Sequence, residues 1–331
     1  MFGRAHLWAP HMINQVPDLT PSVQTVVHRC LAVKPGEDVV VIVDGGTRAI
    51  GEALREEAAG AGADAVLAVM DPREMDGNEP PPPIAAALTA CDVFIAPTTR
   101  SLSHTTARKR ASDDGVRGAT MPGVTEEMLA RVMAVDFDVM AGRSGAVAAL
   151  LDAADAAHVT CPRGSDLTLD ISGRRGIADD GDLTARGAFG NLPCGEGFIA
   201  PLSGEGRVVA SSVGPLGISD EPATLTVRHG LVVSAEGGLG PEWLKLLDVH
   251  GEPGHNLAEL GVGTNDRAEL TGLVLEDEKI IGTVHVAFGA SAGIGGTVAV
   301  PIHLDVVVLK ASLEIDGQPV LEEGRFVLDG A

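Results

Sequence analysis

The stretch EDVVVIVDGGTRAIGEALREEAAGAGADAVLAVMD, residues 37–71, decides the fold because it holds a strand, a helix and a second strand in succession. The run VVVIV is apolar at every position, which is typical of a strand buried on both faces. The segment after it repeats apolar residues at helical spacing, and a second apolar run follows. Strand, helix and strand in this order predict a parallel pair joined by a crossover helix.

The same alternation continues on both sides of this unit. Helical spacing precedes it at residues 20–33, and the segments 80–91 and 92–99 repeat the helix and the strand. An α/β fold with a doubly wound parallel sheet is therefore predicted for a first domain, residues 1–160. The glycines after the first strand do not form G-x-G-x-x-G, so the sequence contains no dinucleotide-binding fingerprint there.

The pattern changes near residue 158. From there onward, short alternating strand-like segments are separated by Gly, Pro and Asp turns. One helix is predicted around GPEWLKLLDVHG, residues 240–251. We expect a second domain, residues 161–331, of α+β class with a mainly antiparallel sheet, and 331 residues are enough for two such cores.

The charge balance limits the partners and the compartment. Acidic side chains outnumber basic ones by 46 to 24, which gives a formal net charge of −22. Nucleic acid and anionic membranes would be repelled, so neither is expected as a partner. The four cysteines form no C-x-x-C pair, residues 1–21 lack the apolar core of a signal peptide, and no apolar run is long enough to span a membrane. These features predict a cytoplasmic protein.

A polar loop, PTTRSLSHTTARKRASDDG (residues 97–115), begins where the third predicted strand ends. Open α/β sheets bind ligands at the carboxyl ends of their strands. His104, Thr105 and Arg108 are therefore candidate substrate-binding residues. The alternative is an ordinary solvated loop that leads into a helix.

Two predicted core strands near the C-terminus contain unexpected polar residues. His303 and Asp305 in VPIHLDVVVL are two positions apart, so they point to the same face of a strand, and His285 lies similarly in the preceding strand, GTVHVAFG. A buried aspartate is costly unless it is paired or binds a cation, which favours a metal site over a hydrogen-bonded core histidine or a structural imidazole–carboxylate pair. Two histidines and one carboxylate suit zinc, manganese, cobalt and non-haem iron alike.

Two glutamates also interrupt apolar surroundings. Glu196 lies in NLPCGEGFIAP and Glu259 lies in HNLAELGVGTN, each away from any run of charges. Either one alone could be a surface residue. Together with the two histidines and the aspartate, however, they make five nitrogen and oxygen ligands, which is enough to hold two divalent ions.

Four motifs in order resemble the C-terminal metal-binding half of the aminopeptidase T family, the M29 metallopeptidases, and its shorter relatives labelled leucyl aminopeptidases. They are NLPCGEGFIAP (191–201), NLAELGVGTN (256–265), LEDEKIIGTVHVAFG (275–289) and VPIHLD (300–305). The resemblance spans residues 185–315 and extends more loosely to SLSHTTAR and MPGVT in the N-terminal half. In that family two glutamates, a histidine and a His-x-Asp pair bind two metal ions, which carries over to Glu196, Glu259, His285, His303 and Asp305.

The resemblance implies a hydrolase with two Zn, Co or Mn ions. A metal-activated water would cleave an amide bond of a peptide or small molecule, and Glu196 or Glu259 would shuttle the proton. It also implies a homodimer or a larger homo-oligomer. His255, four residues before Glu259, is a further candidate for substrate binding, and an uninvolved loop histidine is the alternative.

Two other interpretations remain. The peptidases have a tyrosine shortly after the strand histidine, whereas this chain has FGASAGIGG there and contains no tyrosine. The chain also resembles the iron-dependent dioxygenases that open 2,5-dihydroxypyridine, which hold one Fe(II) with two histidines and an aspartate. Two glutamates beside the site favour the two-metal hydrolase, because a single iron needs open positions. A binding module in which the metal only stabilises the fold is the third interpretation.

Overall fold

The computed structural model describes residues 17–327, so most of the segment considered for a signal peptide lies outside it. The first half alternates helices and strands as predicted. A π-helical turn, Thr25–Cys30, continues the first helix. The elements are α1 (Thr20–Gln24), β1 (Asp38–Val43), α2 (Arg48–Gly60), β2 (Asp64–Val69), α3 (Pro82–Thr89), β3 (Val93–Ala96), α4 (Thr106–Asp113), β4 (Arg117–Thr120), α5 (Glu126–Val132) and α6 (Phe137–Asp152).

The second half is mostly strands. Two short 3₁₀ helices, Glu252–His255 and Ala292–Ile294, lie in its loops. The elements are β5 (Ala156–Thr160), β6 (Asp166–Asp170), β7 (Ile177–Asp179), β8 (Phe189–Asn191), β9 (Glu196–Ile199), β10 (Ser203–Val213), β11 (Gly217–Arg228), β12 (Leu231–Glu236), α7 (Gly240–Asp248), β13 (Leu257–Gly263), α8 (Val274–Asp277), β14 (Val284–Gly289), β15 (His303–Val308), β16 (Ser312–Ile315), β17 (Gln318–Glu322) and β18 (Arg325–Phe326).

The first sheet is parallel and doubly wound, in the order β2-β1-β3-β4-β8. Alternate residues of β1 enter different cores. Val39, Val41 and Val43 pack into the apolar cluster on one face, whereas Val40 and Ile42 pack into the cluster on the other. Burial on both faces explains why residues 39–43 of the strand are all apolar. The predicted fold class of this half is confirmed.

Strand β8 joins this sheet although it lies far along the chain. It pairs in parallel with β4, which places Asn191 beside Thr120. The sequence analysis did not predict this return, because a three-residue strand gives almost no periodic signal. The domain division at residue 160 stays a prediction, and β8 shows that the chain crosses between the sheets after that point.

The second sheet is antiparallel and contains 13 strands within the described residues. Its main path runs β18-β17-β16-β5-β6-β10-β15-β14-β13-β9-β7, and β11 and β12 continue from β10 as a hairpin. Helix α7 covers part of it, and Trp243 of this helix is fully buried edge-on against Phe288. The predicted mainly antiparallel second half and its helix are thus confirmed. None of the described helices is long and apolar enough to cross a membrane.

Candidate active site

Four neighbouring strands carry the five predicted metal ligands. Strand β13 lies between β9 and β14, and β15 lies on the far side of β14. Neighbouring strands are about 4.8 Å apart, so ligands on the same face of adjacent strands can meet. The cross-strand partners are Glu196 with Gly263, His285 with Gly261, His303 with Gly289 and Asp305 with Ala287.

Gly261 makes room for the ring of His285. These two residues are direct cross-strand partners, and a Cβ at position 261 would collide with the Nε2, Cε1 and Cδ2 atoms of the imidazole. The side chain of His285 is fully buried because it lies across the backbone of β13 at this glycine. Glycine is therefore required here for close approach, and its backbone conformation is ordinary.

The ligand atoms form two groups that share Glu259. One group contains Glu196, Glu259 and His285, and the other contains Glu259, His303 and Asp305. The Nε2 atom of His285 lies 3.0 Å from Glu196 Oε2 and 3.4 Å from Glu259 Oε1. The Nε2 atom of His303 lies 3.2 Å from Glu259 Oε2 and 3.7 Å from Asp305 Oδ1. The structure thus brings together all five residues that the sequence analysis selected.

The environment of His303 fits a cation. Its Nδ1 atom lies 2.7 Å from the carbonyl oxygen of Ala290, which can only accept, so Nδ1 carries a hydrogen. The lone pair on Nε2 then faces the carboxylates of Glu259 and Asp305, and a proton or a metal ion is needed between them. Burial opposes a charge on this ring, but Asp305 and Glu259 raise the pKa of His303 to about 10. A buried imidazole and two carboxylates that need a cation between them form a suitable set of ligands for a divalent metal.

A buried lysine occupies the other end of the cluster. Lys279 is fully buried, and its Nζ atom lies 2.5 Å from Glu196 Oε1, 2.8 Å from Glu278 Oε1 and 3.5 Å from Asp179 Oδ2. Although burial opposes the charge, the three carboxylates hold the pKa of Lys279 well above its usual value. Burial raises the pKa of Asp179 to about 7 and that of Glu278 to about 8. One ammonium thus lies among three carboxyl groups beside the candidate metal centre, and two of these groups bind a proton more readily than usual.

A cavity of about 430 Å³ opens onto this centre from between the two sheets. Glu259, His303 and Asp305 line one side of it, whereas His285 lies behind them. The opposite side comes from the loop that follows the carboxyl end of β3. Strands β2 and β3 lie on opposite sides of β1, so the direction in which strands are added to the sheet changes between β1 and β3. This is the position at which open α/β sheets bind ligands.

His104, Thr105 and Arg108 have different places in that loop. The rings of His104 and His303 stack with centroids 5.3 Å apart, and His104 lines the cavity. Desolvation by the cavity wall lowers the pKa of His104, and the nearby charges of His303 and Arg108 act in the same direction; although part of the residue stays exposed to solvent, its imidazole is neutral at pH 7. Thr105 is buried and caps α4 by accepting from the Arg108 N–H at 3.2 Å.

Arg108 also lines the cavity, whereas His255 does not. The Nε atom of Arg108 donates to the carbonyl of Ser103 at 2.7 Å, and its guanidinium stacks 3.9 Å from the ring centroid of Phe189. The ring nitrogens of His255 face the Val232 carbonyl and Asp248 at 2.8 and 3.0 Å, respectively. The structure therefore places His104 and Arg108 beside the metal-ligand cluster and His255 outside its cavity.

The family of the chain follows from a match along almost its whole length. The sequence model of the NicX family, described as 2,5-dihydroxypyridine 5,6-dioxygenase, matches residues 18–328. The chain belongs to this family. A comparison with curated proteins finds no match. The dioxygenase resemblance, which the sequence analysis ranked second, thus corresponds to the family that the match establishes.

Two solved structures share the fold of this NicX family member. One is 2,5-dihydroxypyridine dioxygenase from Pseudomonas putida KT2440, with a TM-score of 0.78, 21% identity, and coverage of 93% of this chain and 96% of that one. The other is wild-type AmpT from Thermus thermophilus, with a TM-score of 0.69, 19% identity, and coverage of 94% and 99%. The relation to the aminopeptidase T fold is therefore confirmed. The relatives are enzymes, which supports an enzymatic function for this chain.

Lys279, Asp179, Glu278 and Gly261 were missed by the sequence analysis. Lys279 stands in the quoted motif LEDEKIIG, where a run of charges is typical of a solvated surface. Asp179 and Gly261 have no distinctive spacing. Their importance comes from cross-strand register, which periodicity within one strand does not reveal.

Proposed function

We propose that the protein is a mononuclear, iron-dependent dioxygenase that opens the ring of a small dihydroxylated aromatic or heteroaromatic substrate. The family match and the dioxygenase structure from Pseudomonas putida support this reaction class. The observation that carries the proposal is the ion pair between Lys279 and Glu196, because it argues against a second metal ion.

The ammonium of Lys279 already neutralises the carboxylate that a second ion would need. Its Nζ atom lies 2.5 Å from Glu196 Oε1, and both residues are buried. Two unit charges 4 Å apart interact by about 4 kcal/mol at an effective dielectric constant near 20, and a dication doubles this repulsion. A metal ion on Glu196 would therefore be strongly opposed as long as Lys279 remains protonated and in place.

The residues that would hold a single ion are His303, Asp305 and Glu259, with His285 on the buried side of Glu259. When bound, Fe(II) would supply the one-electron chemistry that allows dioxygen to react with an aromatic ring. Three protein ligands at a cavity wall leave the cavity side free for small molecules. The Ala290 carbonyl fixes the tautomer of His303 and so keeps Nε2 available to a metal.

His104 is suited to orient the substrate. It lines the cavity against the ring of His303, and its lowered pKa keeps it neutral at pH 7. A neutral imidazole has one acceptor nitrogen, so it can accept a hydrogen bond from a substrate hydroxyl and orient it. The cavity of about 430 Å³ is large enough for a one-ring substrate.

Metal analysis combined with oxygen uptake tests the proposal. Protein purified anaerobically without chelators should contain one equivalent of iron, and 2,5-dihydroxypyridine should support oxygen consumption. The variant His303→Ala should lose both the iron and the oxygen uptake. Two equivalents of zinc, cobalt or manganese per chain, with hydrolysis of aminoacyl amides and no oxygen uptake, would overturn it.

A dinuclear amide hydrolase is the second candidate. The observation that favours it is the presence of two ligand groups joined through Glu259, since a shared carboxylate can bridge two ions. In that case Glu196 and Glu259 would be ligands, and one of them would act as the proton shuttle. The same metal analysis separates the two candidates, because this alternative requires displacement of Lys279 from Glu196.

A further inference from the structure

Arg108 is a cavity cation that has no carboxylate partner among residues 17–327. In residues 17–327 its side chain contacts the carbonyl of Ser103 through Nε, the hydroxyl of Ser112 at 3.5 Å through Nη1, and the face of Phe189. Its Nη2 atom donates no hydrogen bond within this part of the chain. Asp113 acts on its charge only at longer range.

The other arginine of the cavity wall provides a contrast. Arg100 lies 3.6 Å from Asp76 through Nη1, and both residues line the same cavity. Its charge is thus offset by the protein itself. Within the described part of the chain, no acidic group contacts Arg108, although burial makes an isolated charge costly and lowers the pKa of Arg108 to about 10.

The guanidinium of Arg108 is also held in a fixed orientation. The bond from Nε and the stacking on Phe189 constrain the plane of the group, so its remaining N–H donors have a defined direction before any ligand arrives. A planar guanidinium fork matches a carboxylate in geometry and in charge. Preorganised donors of this kind are typical of a binding site, because little entropy is lost when the ligand binds.

We propose that Arg108 binds a carboxylate on the substrate ring, so that the substrate is a dihydroxylated aromatic or heteroaromatic acid. This inference rests on the proposed function, since the ring hydroxyls would lie toward His104 and the metal ligands while the carboxylate lies toward Arg108. The cavity is large enough for one ring with one such substituent. Arg108 selects this substrate over the corresponding neutral ring, which would leave the guanidinium unpaired.

Binding of matched probes to the anaerobic iron-loaded protein tests the proposal. The probes are 2,5-dihydroxybenzoate and hydroquinone, which differ by one carboxylate, and isothermal titration calorimetry gives each Kd. We expect the acid to bind about 10- to 100-fold more tightly, as for a charge-assisted hydrogen bond. Arg108→Gln should abolish this preference, Arg108→Lys should retain part of it, and Arg100→Gln should leave it intact. Thermal unfolding of each variant checks that the fold is preserved.

Equal binding of the two probes, binding of neither probe, or a preference that survives in Arg108→Gln would each refute the assignment. Oxygen uptake separates this failure from failure of the proposed function. An acid preference that depends on Arg108 without any oxygen consumption leaves the carboxylate site intact and removes the dioxygenase. Oxygen uptake with neutral rings that is unchanged in Arg108→Gln would support the dioxygenase and refute the carboxylate site at Arg108.

Discussion

Replacing Lys279 by methionine tests the electrostatics of the centre most directly. Methionine has a similar length and no charge, so the substitution removes the ammonium with little change in volume. The Nζ atom of Lys279 lies within 3.5 Å of Glu196, Glu278 and Asp179, and all four side chains are buried or nearly so. The variant would leave three carboxylates beside each other without a counter-charge.

The loss of unfolding free energy in Lys279→Met follows from the burial of the Lys279 ammonium and its three carboxyl partners. Removing one partner of a buried ion pair destabilises a protein by about 3–5 kcal/mol, because the remaining charge stays desolvated. Asp179 and Glu278 have raised pKa values of about 7 and about 8, so proton uptake by them relieves part of this penalty. We therefore expect Lys279→Met to lose about 3 kcal/mol of unfolding free energy in the metal-free protein at pH 7, the lower end of that range.

A divalent ion should restore the stability of this variant. With the ammonium removed, Glu196 is free to bind a cation, so the metal content should rise from one to two equivalents when zinc is supplied. Urea unfolding measures the stability, and elemental analysis measures the metal. The exposed Lys245, which lies on α7, provides a control, and Lys245→Met should stay within about 0.5 kcal/mol of the wild type. Wild-type stability in Lys279→Met, or an unchanged metal content with excess zinc, would refute the reasoning.

Two further predictions concern other parts of the chain. Gly261→Ala should displace the ring of His285 and weaken metal binding by about tenfold or more, measured by titration with a metal indicator, whereas Gly142→Ala, where a Cβ meets no atom, should bind normally. Burial alone would raise the pKa of Glu37, but its paired hydrogen bonds from Arg117 at 2.7 and 2.9 Å outweigh this and lower it from 4.5. The stability from this pair is complete above pH 4.5 and is lost as the pH falls through the lowered value. Urea unfolding should therefore show Glu37→Gln to be about 1–3 kcal/mol less stable than the wild type at pH 7, with a difference that shrinks as the pH falls below 4.5, and a difference independent of pH would contradict this assignment.

The elements with a strong period could be predicted from the sequence. The apolar run of β1 and the helical spacing of α2 specify a parallel unit, and the two-residue spacing of His303 and Asp305 places both side chains on one face of β15. Strand β8 escaped prediction because a three-residue strand has too few positions to show a period. Its pairing with β4 depends instead on tertiary contacts.

The segment EDEK, residues 276–279, shows why the decisive residue of the site could not be found from the sequence. Four consecutive charges are typical of a solvated surface, yet all four are buried here. Each of the four side chains has a partner. Glu276 pairs with Arg131, and Asp277 accepts hydrogen bonds from Ser212 and from backbone amides. Glu278 pairs with Lys279, which also contacts Glu196. A charge can be buried when its partner is supplied by another element, and those partners are brought together only by the fold. Under the proposed function, Lys279 limits the centre to one metal ion although it is not itself a ligand, and proteins with the same five ligands would differ in metal content if they differ at position 279.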